Sequence, residues 1–356
     1  MFNKRQARAI EAGITHELPK VREDVQHSND RPKIWVFWTA RIGDRSQAEA
    51  LARLTGWSYR AIKLDKSKPP ESSGLTAPWP EMIISVDKFC TATALDLKRQ
   101  SRQAIKVVKL GRPIRHWERL CNFLARRNGN VDLLVVPGHL HARAKPGVIR
   151  LDLPFSLVDP ETLAGARGQF PEFAQLPAPR IAVLVGGAQG KLHWTPDVAR
   201  KLGSDVSALA RKLGGSLMIT TSYRTGSASA AALMAAVEAP HTAYLWGQSI
   251  GPNPLLAYLA HADRVIVTMD SISMAADATK SGKPVMIYRL PPLNLTWVGS
   301  FFRYIHHWAG RDQLFGRLVD AGAVSWFNGA DTPGGRSGRY LDHSAAVVQA
   351  VKRLVS

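Results

Sequence analysis

Arg180-Ile181-Ala182-Val183-Leu184-Val185-Gly186-Gly187 is a short unbroken apolar run that stops on a glycine pair. Such a run is a strand buried on both faces, as in a parallel sheet covered by helices. Downstream the pattern recurs as SLMITTS (216–222), TAYLWG (242–247), RVIVTMD (264–270) and PVMIY (284–288). Helix-period stretches over about 195–213, 227–238, 254–261 and 273–281 separate these runs. Upstream it reads IWVFWTA (34–40), YRAIKLD (59–65), EMIISV (81–86), AIKVVKL (104–110) and VDLLVVP (131–137). Helices are expected there from Ser46 to about Leu54, over about 93–103 and over 116–127, with Arg41-Ile42-Gly43-Asp44 as a loop. Strands alternating with helices specify the α/β class. Between the two sets, Phe170 to Pro179 holds Pro171, Pro177 and Pro179 and reads as a linker.

The expected organisation is an extension over 1–30, a Rossmann-like unit over 31–170 and a second over 171–356, whose last helix packs back on the first. Two doubly wound parallel sheets in tandem leave a cleft at their strand C-termini, where open α/β sheets bind ligands.

Composition narrows the function. The chain has 356 residues, 45% hydrophobic and 21% charged, enough for ordinary cores. Two cysteines, Cys90 and Cys121, cannot build a disulfide framework or a Cys/His metal cluster. The N-terminal MFNKRQARAIEAG lacks a signal-peptide core, and no run reaches the ~18 apolar residues of a spanning helix. The expectation is a cytoplasmic protein, peripheral on the inner face of the membrane. Net charge is +19, and residues 98–150 concentrate it, with 13 basic residues against Glu118 and Asp132. That field draws phosphates, whether of an anionic membrane, a phosphorylated lipid-linked acceptor or a nucleic acid; the bland alternative is a solubilising face. No recognised nucleic-acid module accompanies the charge.

Three loops after second-unit strands carry the candidate donor chemistry. Gly186-Gly187-Ala188-Gln189-Gly190-Lys191 lets backbone amides close on a phosphate, although a tight turn needs the same glycines. It is neither a Walker loop nor a Gly-x-Gly-x-x-Gly fingerprint. Thr220-Thr221-Ser222-Tyr223-Arg224-Thr225-Gly226 sets hydroxyls and a guanidinium where a diphosphate fits, or else caps a helix. In Asp270-Ser271-Ile272-Ser273-Met274-Ala275-Ala276-Asp277, Ser271 or Ser273 can cap the next helix. Ser273 and Asp277 share one helical face, and Asp277 can accept from ribose hydroxyls. Asp44 and His139, at ends of first-unit strands, are alternative general bases. No Asp-x-Asp occurs, which argues against a carboxylate-held metal. Residues 115–127 form a basic amphipathic stretch, read as core packing or as a helix on acidic headgroups.

WTARIGDRSQAEALA, DLLVVPGH, IAVLVGGAQGKLHW, SLMITTSYRTG, LWGQSIGPNP and ADRVIVTMDSISMAADATKSGKPV, in that order, resemble the elongated-mitochondria family. That family takes its name from a plant mitochondrial-fission factor, and its many bacterial members are regarded as glycosyltransferases. The resemblance, over about Ile34 to Tyr288, implies a GT-B arrangement of two Rossmann-like units. It places nucleotide-sugar contacts on Gly186, Gly187, Ser222, Arg224, Thr225, Trp246, Gly247, Ser271, Ser273 and Asp277, and an acceptor-side loop on Arg41, Gly43 and Gln47. Asp277 stands where the family usually has Glu, Tyr223 where it has Arg, and Gly226 where it has Pro. The implied activity is metal-independent transfer from a nucleoside-diphosphate sugar, a substrate rather than a cofactor, to a cell-envelope acceptor. The alternative is a non-catalytic adaptor that recruits a partner at a membrane.

Overall fold

A computed structural model describes residues 33–39, 42–67, 75–101, 104–112, 131–139, 146–188, 194–291, 310–330 and 344–355. The expected extension, Arg41, the basic stretch 115–127 and the loop residues Gln189–Lys191 lie outside the described residues, as do the side chains of residues 42–44.

The first sheet contains β1 Ile34–Trp38, β2 Tyr59–Lys63, β3 Met82–Ser85, β4 Lys106–Leu110, β5 Leu133–Pro137 and β6 Val148–Leu151. The second contains β7 Arg180–Val185, β8 Ser216–Thr221, β9 His241–Tyr244, β10 Arg264–Thr268, β11 Val285–Tyr288 and β12 Ser325–Trp326. Their orders are β2-β1-β3-β4-β5-β6 and β12-β11-β10-β7-β8-β9, and every pairing is parallel. The second is the doubly wound dinucleotide-fold order, with its switch point between β7 and β10; the first switches between β1 and β3. Ile34, Val36, Ile181, Val183, Ile266 and Ile287 are fully buried, as two-sided cover requires.

The helices are α1 Ile42–Thr55, α2 Lys88–Gln100, α3 Pro160–Gln169, α4 Pro196–Lys212, α5 Ser227–Met234, α6 Leu255–His261, α7 Ile272–Lys280, α8 over residues 310–320 and α9 Ser344–Lys352. Their starts follow capping chemistry. Asp87 accepts the Cys90 amide at 2.8 Å, so α2 begins ahead of the expected 93. Asp159 and Thr162 make a reciprocal capping box with Pro160 at the first turn, and Thr195 accepts the Val198 amide before Pro196.

Three expectations are corrected. Residues 42–44 form the first turn of α1, with no loop before Ser46. The stretch 170–179 is not slack: Pro171–Gln175 form a 3₁₀ turn that buries Phe173 against Phe170 and Tyr258. Finally, Ser271 occupies the cap position of α7 but its hydroxyl makes no capping bond, and Ser273 is exposed.

The cores do not divide at residue 170. Phe155 belongs to the first core, whereas Leu153, Val158 and Ala166 pack into the second. Near the end of the chain, Val347, Val348 and Val351 of α9 return to the first core beside α1.

Candidate functional site

The second-sheet loops expected to hold a donor do converge, and they are tied to one another. Gly186 donates its amide to Thr268 Oγ1 at 2.9 Å across the switch point. The Thr225 hydroxyl donates to the Gly186 carbonyl at 2.7 Å, and the Ser222 hydroxyl donates to the same oxygen. The Ala188 amide donates to the Arg224 carbonyl at 3.0 Å. Ser222 and Thr225, expected to meet a diphosphate, thus join the β7 and β8 loops.

Both glycines are required by close approach. A Cβ on Gly186 would lie 2.6 Å from Asp270 Cγ and closer still to Oδ2. Gly187 has φ +127°, and its Cβ would lie 2.5 Å from the Thr225 amide nitrogen, against the Arg224 carbonyl.

The group that fills the space beside Gly186 is Asp270, fully buried and salt-bridged to Arg224 Nη2 at 3.1 Å. Burial pushes its carboxyl up to about 6, while Arg224, Thr268, Arg311 and the Gly187 amide pull the other way. Arg224, expected to be a free diphosphate ligand, is therefore committed in part to a carboxylate. Asp270 was absent from the expected contacts; a strand-end Asp directly after RVIVTM was its signal, since an acid there needs a partner when buried.

Trp246 lies beyond β9, its amide donating to Thr221 Oγ1 at 2.9 Å, and Gly247 follows at φ +74°. The Trp246 ring meets Tyr223 edge-on at 6.4 Å, and Tyr223 is 69% exposed, so the rim beside Arg224 is aromatic.

Asp277 accepts from Ser156 Oγ at 2.5 Å, a bond from α7 to the segment where the chain crosses between cores. Burial raises its carboxyl to about 6 against the lowering effect of Ser156.

The first sheet reaches the same region through α8. A Cβ on Gly310 would lie 2.5 Å from the His139 carbonyl oxygen. Arg317 donates to the Gly138 carbonyl at 3.2 Å and to Asp152 Oδ1 at 2.9 Å. Gly138 is itself pressed on Asp152, with only 2.6 Å between a built Cβ and the Asp152 Cα, which accounts for glycine there. The His139 backbone, after β5, thus packs against the start of α8, the helix that carries Arg311. Gln47 lies on α1, the helix that follows β1, and at the first-sheet switch point Thr39 donates to Asp87 Oδ2 at 2.9 Å.

Among the described residues, no group of three or more His, Cys, Asp or Glu could hold a metal ion, and no helix is long and apolar enough to cross a membrane.

A sequence profile described as mitochondrial fission ELM1 matches residues 42–353. The mitochondrial fission protein ELM1 of Arabidopsis thaliana is 25% identical over 221 residues, covering 58% of this chain. The chain spans about half, 51%, of that curated relative's length. Among solved structures, UDP-GlcNAc 2-epimerase from Methanocaldococcus jannaschii superposes with a TM-score of 0.51 at 8% identity, over 90% of this chain and 99% of that one. Acinetobacter baumannii MurG superposes at 0.41 with 14% identity, over 91% of each. The first of these likenesses bears on the fold alone: two Rossmann-like parallel-sheet units facing a cleft.

Proposed function

The chain belongs to the mitochondrial fission ELM1 family, and from that premise we propose that it is a GT-B glycosyltransferase taking its sugar from a nucleoside diphosphate. Residues 31–170 would supply the acceptor side and 171–356 the donor side, adjusted for the crossing near Leu153 to Val158. The observation that supports this reading is the second-sheet switch point, where Gly186, Gly187, Arg224 and Asp270 form one packed unit at the ends of β7, β8 and β10.

The reaction is a substitution at the anomeric carbon. The acceptor hydroxyl oxygen bonds to that carbon as the carbon–phosphate-oxygen bond breaks. The hydroxyl proton passes to the His139 imidazole, or to Asp44 if that carboxylate is the base. The nucleoside diphosphate leaves with the bond's electron pair, and guanidinium groups stabilise its charge without a metal. Gly186, Gly187, Trp246 and Gly247 line the donor loops, and Ser271, Ser273 and Asp277 lie on the α7 side. The acceptor-side loop of this reading is assigned to Arg41, Gly43 and Gln47. An acceptor of the cell envelope, lipid-linked or lipopolysaccharide-like, agrees with the net +11 of residues 98–150, which would hold the protein on anionic phosphates at the inner face of the membrane.

One observation favours the adaptor reading instead. The Ser222 and Thr225 hydroxyls are spent inside the protein, and Arg224 is paired. A retired donor site serving as a scaffold would have those features, and the curated relative is named for mitochondrial fission.

Calorimetry with the common nucleoside diphosphates separates the two readings. Binding to the wild type at millimolar ligand or below supports the transferase. Silence with all of them leaves the adaptor.

A further inference from the structure

An edge strand presents unpaired backbone amides and carbonyls, and a protein that stays apart from its copies blunts that edge with charge, shortness or cover. Among the described residues the edge strands are β2 and β6 of the first sheet and β9 and β12 of the second. β2 carries Arg60 and Lys63, both exposed, and β6 carries the exposed Arg150. β12 is only two residues long. β9, His241-Thr242-Ala243-Tyr244, is twice that length, holds no Asp, Glu, Lys or Arg, and starts on an exposed His241.

The flank around β9 lacks charge in the same way. Over residues 225–262 the only Asp, Glu, Lys or Arg is Glu238, in a chain that is 21% charged. Glu238 is itself paired with Arg211 of α4. α5, the helix before β9, turns Ser227, Ala228 and Ala231 to solvent. The loop after β9 carries the fully exposed Ile250 and sets Trp246 against Tyr223. The large apolar side chains exposed among the described residues are Leu54, Tyr223 and Ile250, and two of them stand in the loops that leave β8 and β9.

Charge also selects the occupant. The chain carries +19, so two copies repel on most approaches, and a face without charge is where they meet at least cost. An acidic partner would instead seek the basic surfaces elsewhere. An uncharged edge strand is completed by another uncharged edge strand, and an identical copy supplies one. A two-fold axis runs the two β9 strands antiparallel and satisfies both edges at once. It also brings the Ile250 loop of each copy against the His241 end of the other. We infer that the β9 edge, with α5 and the 245–254 loop, is the surface through which two copies of this chain associate, joining their second sheets into one. The inference is independent of the transferase reading.

Sedimentation equilibrium of the full chain, from low micromolar to submillimolar concentration, tests this. Wild type should be a dimer. Raising salt should tighten it, because salt screens repulsion between the two +19 copies and an uncharged contact has no ion pairs to lose. Ile250→Lys and His241→Lys each place two like charges in a two-fold interface and should weaken the dimer about 100-fold or more. Leu54→Lys, the same kind of change on α1 of the other unit, should leave it unaltered. All three positions are exposed, and circular dichroism checks that the fold persists; if His241→Lys unfolds, Ile250→Lys still decides. A wild type that is monomeric throughout overturns the inference, as does a dimer that survives both flank substitutions or loosens as salt rises. A monomer that sediments with phosphatidylcholine vesicles, and loses that binding in Ile250→Lys, overturns it in favour of a bilayer contact.

Discussion

Gly186→Ala tests whether the switch point is as tightly built as the geometry implies. The added Cβ would lie 2.6 Å from Asp270 Cγ. Ordinary carbon contacts begin near 3.5 Å, so the carboxyl must retreat by about 1 Å. It has no free direction, being fully buried and held by Arg224 at 3.1 Å. Overpacking alone costs about 1–3 kcal/mol. Losing the buried pair costs about 3–5 kcal/mol, because Arg224 is then left uncompensated. A destabilisation of about 3–5 kcal/mol is expected. Gly226→Ala is the control: nothing lies within 4 Å of its Cβ, so only the backbone penalty of its φ +74°, ψ 147° conformation applies, about 1–3 kcal/mol. Urea unfolding, followed by far-ultraviolet circular dichroism and tryptophan fluorescence, gives both numbers where the two probes coincide. In an Asp270→Ala background the Gly186→Ala cost should fall to about 1 kcal/mol or less, since the clashing group is gone. Equal costs for Gly186→Ala and Gly226→Ala, or full additivity with Asp270→Ala, would refute the reasoning.

Asp277→Asn should make the protein more acid-independent. The folded carboxyl is raised to about 6 from 3.8, so the folded state holds its proton more tightly, and wild-type stability falls as pH rises from about 4 through 6. Asn keeps the acceptor for Ser156 without the buried charge. It should therefore match wild type near pH 4 and exceed it by about 1–3 kcal/mol at pH 7.5, read from denaturant midpoints at the two pH values. His139→Ala should lower sugar transfer or donor hydrolysis by about 10²–10⁴-fold with nucleoside-diphosphate affinity unchanged, and Asp44→Asn run in parallel identifies which group is the base; full turnover by both removes the assignment. Anionic vesicles should sediment the protein and neutral ones should not, with binding lost as salt rises at about 1 kcal/mol per engaged Lys or Arg. Equal sedimentation with both vesicle types counts against a membrane role.

Most of the fold was legible because its strands are unambiguous. Ile181–Val185 and Val265–Val267 are unbroken apolar runs next to turn residues, and only two-sided burial suits them. The elements that were missed lack that signature. β6, Val148–Leu151, is short with Arg150 in it, and β12 is two residues long. The start of α2 depended on recognising Asp87 as a cap, and that of α1 on accepting Gly43 inside a helix. The candidate loops were legible for the same reason as the strands, since they stand at strand ends. What each side chain does there was not. Hydroxyls at Ser222 and Thr225 read equally as phosphate ligands or as loop ties, and only three-dimensional placement decides between them. Asp277 pairs with Ser156, 121 positions away, a distance at which sequence pattern carries no information.

The return of α9 to the first core bears on how the chain is made. Val347, Val348 and Val351 complete a hydrophobic interior whose other walls, β1, α1, β3, β4, β5 and β6, all lie within residues 34–155. A ribosome delivers those walls early and the closing helix late. Until residues 344–352 emerge, the amino-terminal half has one apolar flank uncovered, while the described residues of the second core, up to Phe327, have already been synthesised. The half translated first is thus the half whose core closes last, and during that wait its open flank is the kind of exposed apolar surface that favours misassembly.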